Sequence, residues 1–164
     1  MKTLLILRHA KSSWDDESLD DFDRPLNQRG NRDAPRIGQL LRERDLLPEL
    51  ILCSTAVRAY STLERVCEAA DYQGQFELHS DLYLAPSATY VELLQEVAEP
   101  LDRVMVIGHN PGLETLLTDL TGAVEHMPTG GLAVVELPIE RWQQLRRPTA
   151  GRLLHLFRPK TLDD

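Results

Sequence analysis

The sequence predicts an α/β fold whose central sheet is mostly parallel and carries an added antiparallel strand. Short apolar runs alternate along the chain with segments of helical periodicity, as they do in βαβ units. Two apolar runs near the C-terminus follow one another with only a short polar turn or helix between them, which indicates the antiparallel addition. We expect a single domain over residues 1–164, because a chain of 164 residues can bury enough surface to fold without disulfides or bound metal ions.

The individual elements are predicted from apolar runs for the strands and from apolar residues at helical spacing for the helices. The predicted strands, in chain order, are Leu4–Leu7, Leu50–Cys53, Phe76–His79, Val104–Ile107, Gly131–Leu137 and Gly151–Phe157. The predicted helices cover Asn27–Arg44, Ala56–Ala70, Pro86–Val97 and Leu113–Leu120. Pro35 either kinks the first helix or marks its true start.

Charge and composition narrow the classes of function. The net charge of −8 argues against a general nucleic-acid binder, because such proteins usually carry a basic stripe. The N-terminal region does not combine positively charged residues with a long apolar stretch after them, so we expect neither a signal peptide nor a membrane span. We therefore expect the protein in the cytoplasm. Cys53 and Cys67 fall in different elements without metal-ligand spacing, and free buried thiols are expected there.

Chemically active side chains follow three of the predicted strands. Arg8 and His9 end the first strand, and His109 follows the strand Val104–Ile107. Open α/β sheets bind their ligands at the carboxyl ends of their strands, where these side chains are expected to meet. Arg58 lies in the first turn of its helix, where a cation opposes the helix dipole unless an anion binds there too. The pattern therefore predicts a phosphate site.

The same residues resemble a known family. Leu7-Arg8-His9, the Ser54-to-Arg58 segment and Gly108-His109-Asn110-Pro111-Gly112 are similar to the motifs of the histidine phosphatase, or phosphoglycerate-mutase-like, superfamily. The finer pattern over residues 8–14 and 23–27, with Gly30, resembles its short phosphohistidine phosphatase branch, the SixA type. The chain differs from many members of the family at Ala59-Tyr60. The catalytic residues are unaffected by this difference, but it leaves the residues that border the substrate unassigned. The resemblance implies a three-layer sandwich.

The residue types indicate how such a site would work. Arg8, Arg58 and a protonated His109 would neutralise the oxygens of a bound phosphoryl group. His9, held by a hydrogen bond from one ring nitrogen to a backbone carbonyl, would attack phosphorus with the other. Water would then hydrolyse the phosphohistidine intermediate and release inorganic phosphate. No metal or cofactor is expected, because the positive charge comes from these side chains and no convincing ligand cluster is visible.

Three further residues are candidates with competing interpretations. Arg24 and Ser12 are candidate phosphate-binding residues. Arg24 fits a structural ion pair with the acidic residues of its loop equally well, and serines in loops usually form hydrogen bonds with their own backbone. Asp81 is the candidate general acid for ester substrates, a role that the resemblance implies near this position, although an N-cap or turn role fits it at least as well. Trp14 is expected to anchor its loop against the core.

The acidic loop, Asp15 to Asp23, has two interpretations. It is either a solvated surface loop or a rim that repels highly charged small substrates and tolerates a protein surface with basic residues. Only about fifty residues separate Arg58 from His109, which leaves no room for a cap domain and predicts an open pocket. An open pocket suits a phosphorylated side chain of another protein.

Three functional hypotheses remain at this point. The first is a phosphohistidine phosphatase that acts on a partner protein. The second is a broad phosphomonoesterase for small phosphate compounds, with a mutase disfavoured because it needs an enclosed site. The third is a phosphate- or phosphoprotein-binding module without turnover, against which the presence of both His9 and His109 weighs.

Overall fold

Six strands form one mixed sheet in the computed structural model, which describes residues 1–162. The last two residues of the domain predicted over 1–164 lie outside the described residues. The strands are β1 (Lys2–Arg8), β2 (Leu50–Ser54), β3 (Gln75–His79), β4 (Arg103–Gly108), β5 (Leu132–Leu137) and β6 (Arg152–Phe157). Their order across the sheet is β3-β2-β4-β1-β5-β6.

Strand directions confirm the mostly parallel sheet with an antiparallel addition. The pairs β1–β4, β2–β4 and β2–β3 are parallel, whereas β5 runs antiparallel to both β1 and β6. The central strand β1 is covered on both faces, and Leu4 to Leu7 are completely buried. This explains why the run is continuously apolar rather than alternating.

Four helices cover the two faces of the sheet and complete the predicted three layers. They are α1 (Gln28–Glu43), α2 (Val57–Ala70), α3 (Ser87–Gln95) and α4 (Gly112–Thr121). Helices α1 and α2 pack on the face of Leu5 and Leu7, and α3 and α4 pack on the face of Leu4 and Ile6. Each buried leucine or isoleucine contributes roughly 1.5–3 kcal/mol, so a charge at any of these four positions would disrupt the sandwich.

Helix α1 settles the role of Pro35. The helix starts at Gln28, after Asn27, whose side-chain oxygen accepts a hydrogen bond from the Gly30 amide at 2.9 Å. Pro35 therefore lies inside the helix and does not mark its start. Ile37 and Leu41, which follow Pro35 in the helix, pack in the core and hold this part of the helix against the sheet.

The interval between α2 and β4 contains no cap domain. It holds β3, a short 3₁₀ helix (Ser80–Leu82), α3 and connecting turns, as its length predicted. Cys53 is buried, Cys67 is partly buried, and both are free thiols. Within residues 1–162, no helix is long and apolar enough to span a membrane.

Candidate active site

The register of β1 against β4 brings together His9 and His109, the two histidines predicted to form the site. Arg8 pairs with Gly108, and the His9 amide donates to the Gly108 carbonyl at 3.1 Å. The rings of His9 and His109 consequently lie with centroids 5.2 Å apart. Both side chains are almost completely buried, at 5 % and 1 % exposure.

His9 is held in one orientation by its neighbours. Its Nδ1 lies 2.8 Å from the Ala10 carbonyl oxygen, which can only accept, so Nδ1 carries the proton. The Ala10 amide in turn donates to Thr62 Oγ1 on α2, and that hydroxyl donates to the Arg58 carbonyl. The lone pair is left on Nε2, to which Arg58 Nε donates across 3.4 Å. This is the arrangement that a nucleophilic imidazole requires.

His109 is fixed by two residues that sequence reasoning missed. Its Nε2 lies 2.8 Å from the hydroxyl oxygen of Ser54, which closes β2, and its amide donates to the hydroxyl of Tyr90. A Cβ at Gly108 would overlap the Tyr90 hydroxyl, so this glycine makes room for Tyr90 and not for a ligand. Within the described part of the chain, Nδ1 of His109 is buried without a partner.

Arg58 lies at the start of α2, as predicted, and is occupied by the acidic loop. Its Nη1 donates to the Asp21 carbonyl at 2.7 Å, and its Nη2 donates to Asp21 Oδ2 at 3.0 Å. The Tyr83 hydroxyl donates to the same carboxylate oxygen at 2.5 Å. The expected open pocket is therefore wrong in one respect, because Asp21 and Tyr83 cover the Arg58 guanidinium.

Burial controls the charge of the two histidines. Desolvation by burial is the largest effect on His9 and lowers its pKa, and the charges of its neighbours act in the same direction. The hydrogen bond to Ala10 raises the pKa, but the other effects outweigh it and the pKa of His9 falls to about 3. Desolvation and the charge of Arg58 lower the pKa of His109 to about 4. Both imidazoles are therefore neutral at pH 7. The protonated His109 that we expect beside a bound phosphoryl group stays a prediction, and its ring would take up that proton as the phosphoryl group binds.

The carboxylate of Asp21 is kept ionised by its partners. Partial burial raises its pKa, but the hydrogen bond from Tyr83 and the charge and hydrogen bonds of Arg58 and Arg24 outweigh this effect. The pKa of Asp21 falls to about 2 as a result. At neutral pH this residue is an acceptor and a negative charge, and it has no proton to donate.

Arg8 reaches the site from the end of β1. Its Nη1 donates to the Met127 carbonyl at 3.1 Å, and its Nε is buried without a partner among residues 1–162. Burial lowers its pKa, with Arg58 adding to the effect, but an arginine stays charged at neutral pH. The Gly130 amide donates to the carbonyls of both Arg8 and His9, which fixes the backbone of the strand end.

Arg24 and Ser12 lie beside the site and bind each other. Arg24 Nη1 donates to Ser12 Oγ at 2.7 Å, and Arg24 Nε donates to Asp21 Oδ1 at 3.1 Å. The structural ion pair is thus the interaction that the structure contains, and phosphate binding by Arg24 and Ser12 stays a prediction. The Arg24 guanidinium also stacks 3.5 Å from the ring of Trp14, which is 68 % exposed. The expectation that Trp14 packs against the core is wrong.

Asp81 is not brought together with the other predicted residues. It lies in the 3₁₀ helix Ser80–Leu82, is exposed, and makes no hydrogen bond or ion pair within the described part of the chain. The acid that does reach the site is Asp21, from the loop for which a solvated surface was one interpretation. No group of three or more His, Cys, Asp or Glu residues within residues 1–162 is arranged to hold a metal ion.

Known proteins are similar to this chain over most of its length. The model of the histidine phosphatase superfamily (branch 1) matches residues 4–83. An uncharacterized chloroplastic protein of Arabidopsis thaliana is 34% identical over 170 aligned residues, which cover 96% of this chain and 78% of that protein.

Solved structures extend the similarity to the whole fold. The crystal structure of a candidate phosphohistidine phosphatase SixA from Agrobacterium tumefaciens is 32% identical, has a TM-score of 0.82, and covers 96% of this chain and 98% of its own. The protein histidine phosphatase SixA complexed with tungstate has a TM-score of 0.84 at 24% identity, covers 98% and 99% of the two chains, and supports the fold. This chain therefore belongs to the histidine phosphatase superfamily, in its SixA-type branch.

Proposed function

We propose that this protein removes phosphate from phosphohistidine in a partner protein, through a phosphohistidine formed on its own His9. The observation that carries the proposal is the fixed orientation of His9, whose Nδ1 is bonded to the Ala10 carbonyl while Nε2 faces Arg58. A binding module would need the arginines but no oriented, neutral imidazole.

The reaction then has two balanced steps. In the first, Nε2 of His9 attacks phosphorus, the bond between phosphorus and the substrate's imidazole nitrogen breaks, and that nitrogen takes a proton from water, which leaves a hydroxide ion. In the second, this hydroxide attacks phosphorus, the bond to His9 breaks and returns the lone pair to Nε2, and inorganic phosphate is released as hydrogen phosphate. The low pKa of His9 keeps its lone pair available at neutral pH without a base to remove a proton.

Charge stabilisation comes from the two arginines. Arg8 carries an unpartnered Nε within the described residues, and Arg58 offers a fork that fits two phosphoryl oxygens once Asp21 moves aside. His109 approaches as a neutral hydrogen-bonding group, and a phosphoryl anion beside it would raise its pKa and favour its protonated form. No metal ion is part of this mechanism.

The protonation of the acids favours a phosphoramidate over an ester. An alkoxide leaving group needs a proton donor, whereas an imidazole leaves readily once protonated. Asp21, with a pKa of about 2, is ionised, and the exposed side chain of Asp81 makes no hydrogen bond or ion pair within residues 1–162. A site without a carboxylic acid that can donate a proton therefore favours phosphohistidine as its substrate.

The surface around the site supports a protein as the carrier of that phosphohistidine. The exposed Trp14 lies on Arg24 at the rim, and exposed aromatic side chains are enriched where proteins bind each other. Exposed carboxylates of the acidic loop, among them Asp15 and Glu17, repel multiply charged small substrates and attract basic side chains of a partner. Such a partner is expected in the cytoplasm.

The proposal is tested by comparing turnover of a phosphohistidine protein, a phosphohistidine peptide and simple alkyl phosphates. We expect kcat/KM to fall in that order. The double variant Asp15→Asn with Glu17→Gln should lower kcat/KM on the protein substrate several-fold and leave the peptide unchanged. The matched control, Glu64→Gln with Glu92→Gln, removes the same charge from exposed helical positions and should have no effect. A preference for alkyl phosphates would make the protein a general phosphomonoesterase.

A further inference from the structure

The backbone of Met127 holds the guanidinium of Arg8 at the catalytic site. The Met127 carbonyl accepts a hydrogen bond from Arg8 Nη1 at 3.1 Å and another from Asn110 Nδ2 at 3.0 Å. Met127 is completely buried, but it belongs to the connection between α4 and β5, which contains no helix or strand of its own. The position of Arg8 therefore depends on the contacts that fix this irregular backbone.

Glu114, in the first turn of α4, fixes that backbone through its carboxylate. Oε2 of Glu114 accepts from the Met127 amide at 2.7 Å and from Asn110 Nδ2 at 3.0 Å. Because Asn110 Nδ2 also donates to the Met127 carbonyl, these three residues close a ring of hydrogen bonds. The ring ties down both backbone polar groups of Met127, next to the guanidinium of Arg8.

The usual role of a glutamate at this helical position does not account for these contacts. Glu114 is the third residue of α4, where a glutamate commonly accepts a hydrogen bond from the amide of the N-cap residue. Here the N-cap is Pro111, which has no amide hydrogen. The favourable interaction of the carboxylate with the helix dipole remains, but that effect needs no particular partner. The contacts with Met127 and Asn110 therefore have another cause.

The carboxylate of Glu114 also acts on Arg8 through its charge. Burial is the largest effect on Arg8 and lowers its pKa, whereas the negative charge of Glu114 raises it. The Nδ1 atom of His126 lies 2.9 Å from Glu114 Oε2, but the His126 side chain is 74% exposed, so this contact contributes little. Glu114 thus supports the charged form of Arg8 as well as its position.

We propose that Glu114 is a positioning residue for phosphate recognition, which holds the Met127 carbonyl, and through it the Arg8 guanidinium, where a phosphoryl group binds. This inference rests on the proposed function, because it concerns the phosphate site of the same reaction. A guanidinium anchored on a fixed carbonyl needs no reorganisation as charge develops on the phosphoryl oxygens. A displacement of Met127 therefore weakens the binding of anions that resemble the transition state.

Three substitutions at Glu114 separate positioning from a purely helix-stabilising role. Glu114→Gln keeps the reach and an oxygen acceptor but loses the charge, Glu114→Asp keeps the charge but is shorter by one methylene, and Glu114→Ala loses both. Calorimetric titration of the intact protein with vanadate should give an affinity within about threefold of the wild type for Glu114→Gln, and an affinity at least about tenfold lower for the other two variants. The value of kcat/KM on a phosphohistidine protein should follow the same order.

A purely helix-stabilising role predicts the opposite order, because the helix dipole responds to charge and not to reach. Vanadate affinity close to the wild type in Glu114→Asp, with a loss in Glu114→Gln, would therefore overturn the proposal. A double-mutant cycle adds a second test. In an Arg8→Gln background, which leaves Arg58 to bind vanadate, Glu114→Asp should cause no further loss, since its effect passes through Arg8. An equal loss in both backgrounds would also overturn the proposal.

Asp119→Asn is the matched control. Asp119 lies on the same helix, its side chain is 27% exposed against 30% for Glu114, and it pairs with Arg147. It should leave vanadate affinity unchanged, and an equal loss in Asp119→Asn and Glu114→Asp would show general damage to α4 instead of positioning. If phosphohistidine were not the substrate, wild-type turnover of it would be low while the vanadate affinities kept the predicted order, so the two failures are distinguishable.

Discussion

Both terminal nitrogens of Arg58 donate to Asp21, one to its carbonyl oxygen at 2.7 Å and one to its carboxylate at 3.0 Å. The guanidinium that the fold places at the site is therefore bound by an acid of the chain's own loop. A phosphoryl group that binds to this fork must displace that carboxylate. Asp21 consequently competes with phosphate for Arg58.

Asp21→Asn should therefore tighten inhibition by inorganic phosphate or vanadate. We expect the inhibition constant to fall by about threefold to tenfold, a modest factor because the Asp21 side chain is 40% exposed and its charge is screened. The matched control is Asp20→Asn, which removes the same charge from the adjacent, exposed position. An equal change in both variants would show a general charge effect instead of local competition.

Arg58 itself should be required for phosphate recognition. Arg58→Ala should lower kcat/KM by about 10²-fold or more and weaken anion inhibition, and Arg58→Lys should recover only part of the loss because lysine lacks the bidentate fork. Arg65→Ala on the same helix, whose side chain binds Asn31, is the control for nonspecific damage to α2. Unchanged anion inhibition in both Arg58 variants would remove this residue from the site.

Acid should destabilise the protein through its two buried histidines. Their folded-state pKa values, about 3 for His9 and about 4 for His109, lie below the ordinary value of 6.5. The unfolded chain therefore binds protons first as the pH falls from about 6.5 to 4, and the free energy of unfolding decreases by up to about 1.4 kcal/mol per pH unit for each group. The lowered pKa of Asp21, about 2, affects the free energy of unfolding only at pH values below about 4.

Urea unfolding at pH 7, 6 and 5 measures this slope. In His9→Gln one of the two groups is gone, so the fall in the free energy of unfolding between pH 7 and 5 should be smaller than in the wild type. An identical slope in the wild type and the variant would contradict a neutral, buried His9.

The role of Asp81 separates the two enzymatic hypotheses. Asp81→Asn should change turnover of a phosphohistidine protein by less than about twofold, because imidazole leaves without a strong acid. On alkyl phosphates, a loss of about 10² would identify Asp81 as their proton donor. If the variant lost activity on every substrate alike, the assignment to phosphohistidine would have to be abandoned.

Much of this architecture follows from short-range patterns in the sequence. Leu4 to Leu7 form a continuous apolar run because β1 is buried on both faces, and strand ends in a parallel sheet necessarily share an edge. That logic places Arg8, His9 and His109 together without knowledge of any contact. Arg58 could be placed because a cation in the first turn of a helix is electrostatically unfavourable by itself.

The contacts that complete the site could not be predicted in this way. Asp21 and Tyr83 meet Arg58 from positions 37 and 25 residues away, and Tyr90 meets His109 across 19 residues. Such pairs depend on how loops fold over the sheet edge, and neither periodicity nor spacing encodes that path. Only Ser54 left a local signal, as a polar residue that closes a buried strand.

Trapping of the phosphorylated enzyme tests the central claim most directly. Wild-type protein mixed with labelled phosphohistidine protein and quenched in alkaline detergent should carry a label on His9 that is stable to base and released by acid. His9→Ala should carry none and should lose turnover while keeping its fold, whereas His155→Ala, at an exposed position of β6, should match the wild type. Label retained by His9→Ala, or substantial turnover without His9, would contradict the account.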